Sequence, residues 1–418
     1  MFPVPAIDYF AGTYFTAETV QNRMSEADLV QEKVTQSFET LADENVDLWI
    51  TYGRETTEID EPCFGFLLGF DVVWPSMVLL SADGDAITII GSHDAPNAEA
   101  LDAYDVRPYE EGLEAEFLDV LSDIDPDNIA VNYSRDNNIA DGLTHGLYHR
   151  LTDMLEGTEY ENKLQSSSDV VSRIRSQKSP TERERMDRAA EITEKFLSEA
   201  ADAWTPEWTE ADFADYIHEM MRDQGLDSAW SWDYCPTVHA GGEAELGHTM
   251  PGDLTLPRGE VLHVDFGVKY EGYATDIQRL YYWPGEDSAV PTDLQSAYED
   301  VRAAIDAAFE VIEPGVQGFE VDDAARETIT DRGWPEYKHA VGHNVGRNAH
   351  DGATLLGPRW ERYGESPEGE VHEGEIYTLE LGVETEWGYL GQEEMVEVTA
   401  DGATYFVKPQ TEFRVLEP

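Results

Sequence analysis

The stretch Val261 to Arg279, VLHVDFGVKYEGYATDIQR, limits the fold of this chain more than any other. Val261, His263 and Asp265 alternate with Leu262, Val264 and Phe266, the period-2 pattern of a strand with two different faces. Glu271-Gly272 marks a tight turn, and Asp276 falls on the expected returning strand. The chain then repeats itself from Ile376 to Thr399, IYTLELGVETEWGYLGQEEMVEVT. Asp265-Phe266-Gly267-Val268 answers Glu380-Leu381-Gly382-Val383, Gly272-Tyr273 answers Gly388-Tyr389, and Asp276 answers Glu393. Two duplicated hairpins therefore offer two acids each. Four carboxylates converging in one core repel unless a cation sits between them. Hard divalent ions such as manganese suit oxygen-rich sites. Two ordinary hairpins with solvated acids are the alternative.

Lys338 to Asp351, KHAVGHNVGRNAHD, gathers His339, His343 and His350 in one short segment. Neutral imidazole is a common metal ligand and a common proton carrier. With this segment added, Asp265, Asp276, His343, Glu380 and Glu393 resemble, in order and spacing, the five-ligand set of the pita-bread metallopeptidases. That family holds aminopeptidase P, prolidase, methionine aminopeptidase and the metal-free relative creatinase. The GHxxG box at His343, the DxG…GYxxD box and the EEMVEVT run carry the resemblance. It covers residues 170–418 closely and the first 165 weakly.

The resemblance implies an α+β chain. Residues 169–418 would form a pita-bread fold, a curved antiparallel sheet backed by helices with an internal pseudo-two-fold repeat. Residues 1–168 would form an α/β domain like that of creatinase and prolidase. It further implies two divalent ions, manganese first, with cobalt, zinc or iron as alternatives. Asp276 and Glu393 would bridge them, Asp265 would hold one, and His343 and Glu380 the other. A metal-bridging hydroxide would cleave Xaa-Pro bonds of small peptides, with Glu380 or a neighbouring acid taking the proton of the water. His248, His339 and His350 would serve the oxyanion and the leaving nitrogen. Homodimerisation is expected from the family.

Two departures stand against a straightforward transfer. Xaa-Pro enzymes usually carry Pro-Gly where this chain has Leu381-Gly382, and often an arginine where it has Gly391. The insert Leu355 to Glu373 offers Arg359 and Arg362 as replacement charges. The competing readings are a creatinase-like C–N hydrolase or small-acid lyase on the same fold, and a non-catalytic binding module. Glu394 is expected to be structural or to support a ligand. His263 shares a strand face with Asp265 and is expected to pack in the sheet, with support of that acid as the alternative, and His239 borders the site.

Composition excludes several partners. The chain has 418 residues, 87 acids against 27 basic residues and a formal charge of −60. Such a surface repels nucleic acid and anionic membranes, both polyanions. Aromatics at 11% and regular apolar patterns argue for a folded chain, not disorder. The balance reads as halophilic. Cys63 and Cys235, the only cysteines, fit reduced thiols in a cytoplasmic protein. MFPVPAIDYF has no basic start and no apolar core, so no signal peptide is expected. The apolar run Phe64 to Leu80 is broken by Asp71, Pro75 and Ser76, which argues against a membrane span.

Taken in order, residues 1–18 read as irregular and about 19 to 43 as a helix. Strands follow at Leu48, Met77, Ala86 and Asn128, the middle pair flanking Asp83-Gly84, and a helix runs through Leu143, Leu147 and Leu151. A boundary falls near Gln165. Ser179, Pro180 and Glu182 form a capping box that opens a long helix. A second helix follows Thr209, with Phe213, Ile217 and Met220 inward. After the first hairpin come a helix through Leu294, Tyr298, Val301 and Ile305 and a shorter one from about Val321 to Arg332.

At 1 M salt the Debye length is about 3 Å, so self-repulsion of this surface is screened there and not at low salt. The thermal midpoint is therefore expected to rise between about 0.1 M and 2 M potassium chloride, followed by circular dichroism. A midpoint indifferent to salt would remove the halophilic reading.

Overall fold

Leu48–Gly53 is buried along its whole length, as a strand covered on both faces must be. In the computed structural model, which describes residues 17–57, 60–247, 249–286, 289–352 and 354–417, it lies inside a six-stranded mixed sheet. The order is Asp105–Tyr109, Ala86–Gly91, Ser76–Ser81, Leu48–Gly53, Ile129–Val131 and Leu164–Ser166. The hairpin expected around Asp83-Gly84 is present, with Gly84 at φ +99°. Glu114–Ile124 and His145–Leu155 cover one face; Ala17–Asp43 and Ser168–Ser176 cover the other.

Two expectations are corrected in this part. Residues 1–16 lie outside the described residues, but 17 and 18 already belong to the helix Ala17–Asp43. The segment between the boundary and Ser179, where no element was expected, holds a helix of its own, Ser168–Ser176, with Val170, Val171 and Ile174 buried.

The second large sheet has seven strands. Its main path runs Ile376–Thr385, Gly388–Thr399, Ile277–Tyr282, Val261–Phe266 and Thr237–Ala240, all antiparallel. Gly402–Tyr405 and Arg414–Val415 extend it at the sides. The two returning strands meet in the middle and each hairpin's first strand lies outside, the arrangement a pseudo-two-fold repeat produces. Each hairpin has its own pair of helices. Pro180–Ala203 and Glu210–Asp223 bury Phe196, Phe213 and Ile217 under the first. Thr292–Val311 and Gly318–Asp331 bury Tyr298, Ile305 and Ile329 under the second. The expected capping box at Ser179 and Glu182 is formed. Met221, not Met220, is the fully buried methionine of its helix, because Met221 falls four residues after Ile217 on the same helical face.

Asp276 is also corrected. It does not lie on the returning strand but in the break between Tyr273–Ala274 and Ile277–Tyr282. The hairpin changes sheets there: its tip, with Asp227–Ser228, forms a separate three-stranded sheet. A Cβ on Gly267 would lie 1.8 Å from the Thr275 carbonyl oxygen, so glycine alone lets the two backbones approach so closely.

Buried ion pairs join the two parts. Lys33 Nζ lies 2.5 Å from Glu182 Oε2 and donates to the carbonyls of Ile174 (2.6 Å) and Gln177 (2.9 Å). Arg175 pairs with Asp351, both buried, and Lys178 Nζ donates to Asn344 Oδ1 at 3.0 Å. No helix among the described residues is long and apolar enough to cross a membrane. Removing one partner of a buried pair leaves the other charge uncompensated, at about 3–5 kcal/mol. Lys33→Met is expected to destabilise the protein by about that much, read from the urea unfolding midpoint.

Candidate metal centre

Directly paired residues of antiparallel strands project to the same face, on strands about 4.8 Å apart. In this sheet Asp265 is paired with Gln278, Gln278 with Glu393, and Glu393 with Glu380. One row across four strands therefore reads Asp265, Gln278, Glu393, Glu380. Asp276 joins from the break beside it. His343 arrives on a loop pinned to the strand Ile376–Thr385: the His343 amide donates to Thr378 Oγ1 (3.1 Å), and the Thr378 amide donates to the His343 carbonyl (2.9 Å).

The donor atoms converge on a point. His343 Nε2 lies 3.8 Å from Asp276 Oδ2, from Glu380 Oε1 and from Glu393 Oε1. The ligand atoms of Asp276, His343 and Glu393 all fall within 4.8 Å of one another. Donors bound to one ion at 2.0–2.2 Å lie about 3 to 4.4 Å apart, so the spacing fits a cation. Asp265 Oδ1, Asp276 Oδ1, His343 Nδ1 and Glu393 Oε1 are buried without a hydrogen-bond partner, a state native proteins rarely leave unexplained. Burial and mutual repulsion push every carboxyl here toward its neutral form. Asp265 rises to about 7, mainly through burial, and Glu380 to about 8 through burial and then the Asp265 charge. Asp276 and Glu393 rise well above the usual range through burial and then neighbouring carboxylates, Asp265 first for Asp276 and Asp276 first for Glu393. Burial lowers His343 to about 3, keeping its ring neutral and able to ligate. Donor type, spacing and orphaned atoms all fit divalent cations.

The expected residues fall as follows. Asp265, Asp276, His343, Glu380 and Glu393 come together. The His350 ring lies 4.3 Å from that of His343, and exposed His339 sits beside Tyr337. His248 lies outside the described residues. Glu394 points to the opposite face of its strand, between Arg279 and Arg302 at 3.1 Å each. Arg359 stacks on Phe319, and Arg362 on Trp360 and Tyr363. Both cysteines are buried and unpaired.

Sequence reasoning missed Gln278 and matched Asp276 to Glu393, two positions out of register. Both hairpins turn on two residues, Glu271-Gly272 and Glu386-Trp387, as the pairings on either side show. Counting outward from those turns places Gln278, not Asp276, at the position equivalent to Glu393. Gly272 lies within its turn, whereas Gly388 lies just after one, so the Gly-Tyr match was offset. The signal was present in the sequence as turn register.

The sequence model of metallopeptidase family M24 matches residues 184–400. The chain is similar to the Xaa-Pro dipeptidase of Pyrococcus furiosus, 26% identical over 274 residues, which is 65% of this chain and 74% of that protein. Among solved structures it is similar to an Xaa-Pro dipeptidase from Bacillus anthracis, with a TM-score of 0.69 at 21% identity over 93% of this chain and 100% of that one. It is also similar to an X-Pro aminopeptidase from Thermotoga maritima MSB8, with a TM-score of 0.68 at 22% identity, covering 90% and 99%. These likenesses show the fold: a pita-bread C-terminal part preceded by an α/β part.

Without cations, Asp265 and Glu380 keep their protons in the folded chain up to about pH 7 and 8. In the unfolded chain they ionise near about pH 4. The folded state thus holds more protons across that window, and its stability falls as pH rises through it. A divalent cation offsets the penalty. Manganese is therefore expected to raise the thermal midpoint more at pH 8 than at pH 5 in molar potassium chloride. Equal shifts in scanning calorimetry would contradict the site.

Proposed function

The chain belongs to metallopeptidase family M24, and from that premise we propose that it hydrolyses the bond between an N-terminal residue and a following proline. It would act as an Xaa-Pro aminopeptidase or dipeptidase on small peptides. The observation that carries this reading is the similarity to the Pyrococcus furiosus Xaa-Pro dipeptidase over 74% of that protein.

In this reading Asp265, Asp276, His343, Glu380 and Glu393 would hold two divalent cations, manganese first. The orphaned oxygens and the three equal 3.8 Å spacings support it. Bound there, such cations supply a reactive water near neutral pH and polarise the scissile carbonyl. The chain's own groups do the rest. Glu380, partly open to solvent, accepts the proton of the attacking water. His350, next to the His343 ring, donates to the substrate carbonyl. His248 and His339 serve the oxyanion and the leaving nitrogen.

We further propose that residues 1–168 and 169–418 form two domains, and that the protein works as a homodimer in a salt-rich cytoplasm. The charge of −60 supports the last point.

The test is release of the N-terminal residue from Xaa-Pro and Xaa-Pro-Xaa peptides with manganese in molar potassium chloride. Glu393→Ala is expected to lose at least roughly the 10- to 100-fold that even the outer contacts of a metal site are worth. The preferred peptide length decides between dipeptidase and aminopeptidase. No release by folded, metal-loaded protein would move the assignment to C–N hydrolysis or elimination on a small acid.

A further inference from the structure

Gln278 sits in the middle of the carboxylate row, paired with Asp265 on one side and Glu393 on the other. Its amide nitrogen lies 3.2 Å from Glu380 Oε2 and 3.1 Å from Glu393 Oε2. The second oxygens of the same two carboxylates, both Oε1, are the ones that face His343 Nε2 at 3.8 Å. Each carboxylate is thus divided, one oxygen toward Gln278 and the other toward the point where the donors converge. A primary amide has two N–H groups, one for each oxygen it meets here.

The other end of the amide is held as well. Gln278 Oε1 lies 2.8 Å from His263 Nε2, and His263 Nδ1 lies 3.1 Å from His239 Nδ1, with the rings stacked at 12°. With the NH2 group facing carboxylates, the oxygen must accept, so His263 carries its proton on Nε2 and accepts at Nδ1 from His239. Gly391 makes room for this chain of bonds. A Cβ there would lie 2.3 Å from Gln278 Oε1, 2.6 Å from His263 Nε2 and 2.6 Å from Tyr389 Cε1. Gly382, paired with Gly391, is covered in the same way by the Tyr389 ring. Side chains from three other positions therefore fill the space above the two glycines.

We propose that Gln278, aimed by His263 and His239, is a positioning residue that orients Glu380 and Glu393 toward divalent cations. The proposal rests on the ligand assignment made above. Gln278 does not touch the cations or the substrate; it acts through the two carboxylates. Outer contacts of this kind are worth about 10- to 100-fold in metal affinity.

The experiment titrates metal-free protein with manganese chloride against a competing fluorescent chelator in molar potassium chloride. It compares the parent with Gln278→Leu and Gly391→Ala. Both variants are expected to bind manganese roughly 10- to 100-fold more weakly, measured on samples that circular dichroism shows to be folded. In the loaded parent, long-range 15N–1H spectra are expected to show His263 protonated at Nε2. Gly391→Ala keeps every polar group and carries the test if Gln278→Leu does not fold. Affinities within about twofold of the parent, or His263 protonated at Nδ1 in the loaded protein, would overturn the positioning role and leave the ligand assignment standing. A parent that binds no divalent cation would overturn the ligand assignment and this role with it.

Discussion

Like charges placed directly opposite each other on neighbouring strands repel, and here Glu380 and Glu393 are such a pair, in a buried setting. The whole row of Asp265, Gln278, Glu393 and Glu380 carries that conflict across four strands. It is tolerable only where something neutralises it, and in the metal-free chain protons do so. The surrounding architecture holds the row together against its own repulsion. Long strands fix the register, so the Cβ of each of these residues stays on the same face of the sheet. Helix pairs behind each hairpin bury large aromatic and aliphatic side chains against the opposite face.

The reverse face of the sheet is also charged, and there guanidinium groups meet the carboxylates. Arg279 donates to the Glu393 and Gln278 carbonyls at 3.0 and 2.9 Å and pairs with Glu194 and Glu394. Arg302 meets Glu394 from the helix Thr292–Val311. Adjacent residues Glu393 and Glu394 thus meet opposite treatment. Glu394 has two guanidinium groups, whereas Glu393 has Gln278 and a neutral His343. A strand with this asymmetry puts the unbalanced charge on one face only. The His343 loop is steadied further by the segment 175–178, through Lys178 on Asn344 and Arg175 on Asp351.

Much of this could be read from the chain. The capping box at Ser179, the turn at Glu271-Gly272 and the two-helix, one-hairpin repeat are local signals, and each formed where local rules place it. The five acid and histidine positions were legible because the repeat and the histidine box are dense in rare combinations. Gln278 was not, since an uncharged side chain between two acids carries no compositional signal. Counting register from the turns would have found it. The helix Ser168–Ser176 was missed because its apolar face, Val170, Val171 and Ile174, is short and embedded among serines and arginines.

The sequence by itself determined the hairpin repeat, the helices that back it and the chemical types available for a cation. Those follow from periodicity, turn chemistry and side-chain donors, all of which act over a few residues. Only the tertiary structure decided that Asp276 leaves the strand opposite Gly267, that the two hairpins lie side by side so that one row crosses both, and that Gly391 accommodates the Gln278, His263 and Tyr389 side chains. Those outcomes depend on sheet changes and cross-strand contacts between residues over a hundred positions apart, such as Gln278 with Glu380 and Glu393. Backbone proximity of that kind is set by the packing of the entire fold, and no local pattern encodes it.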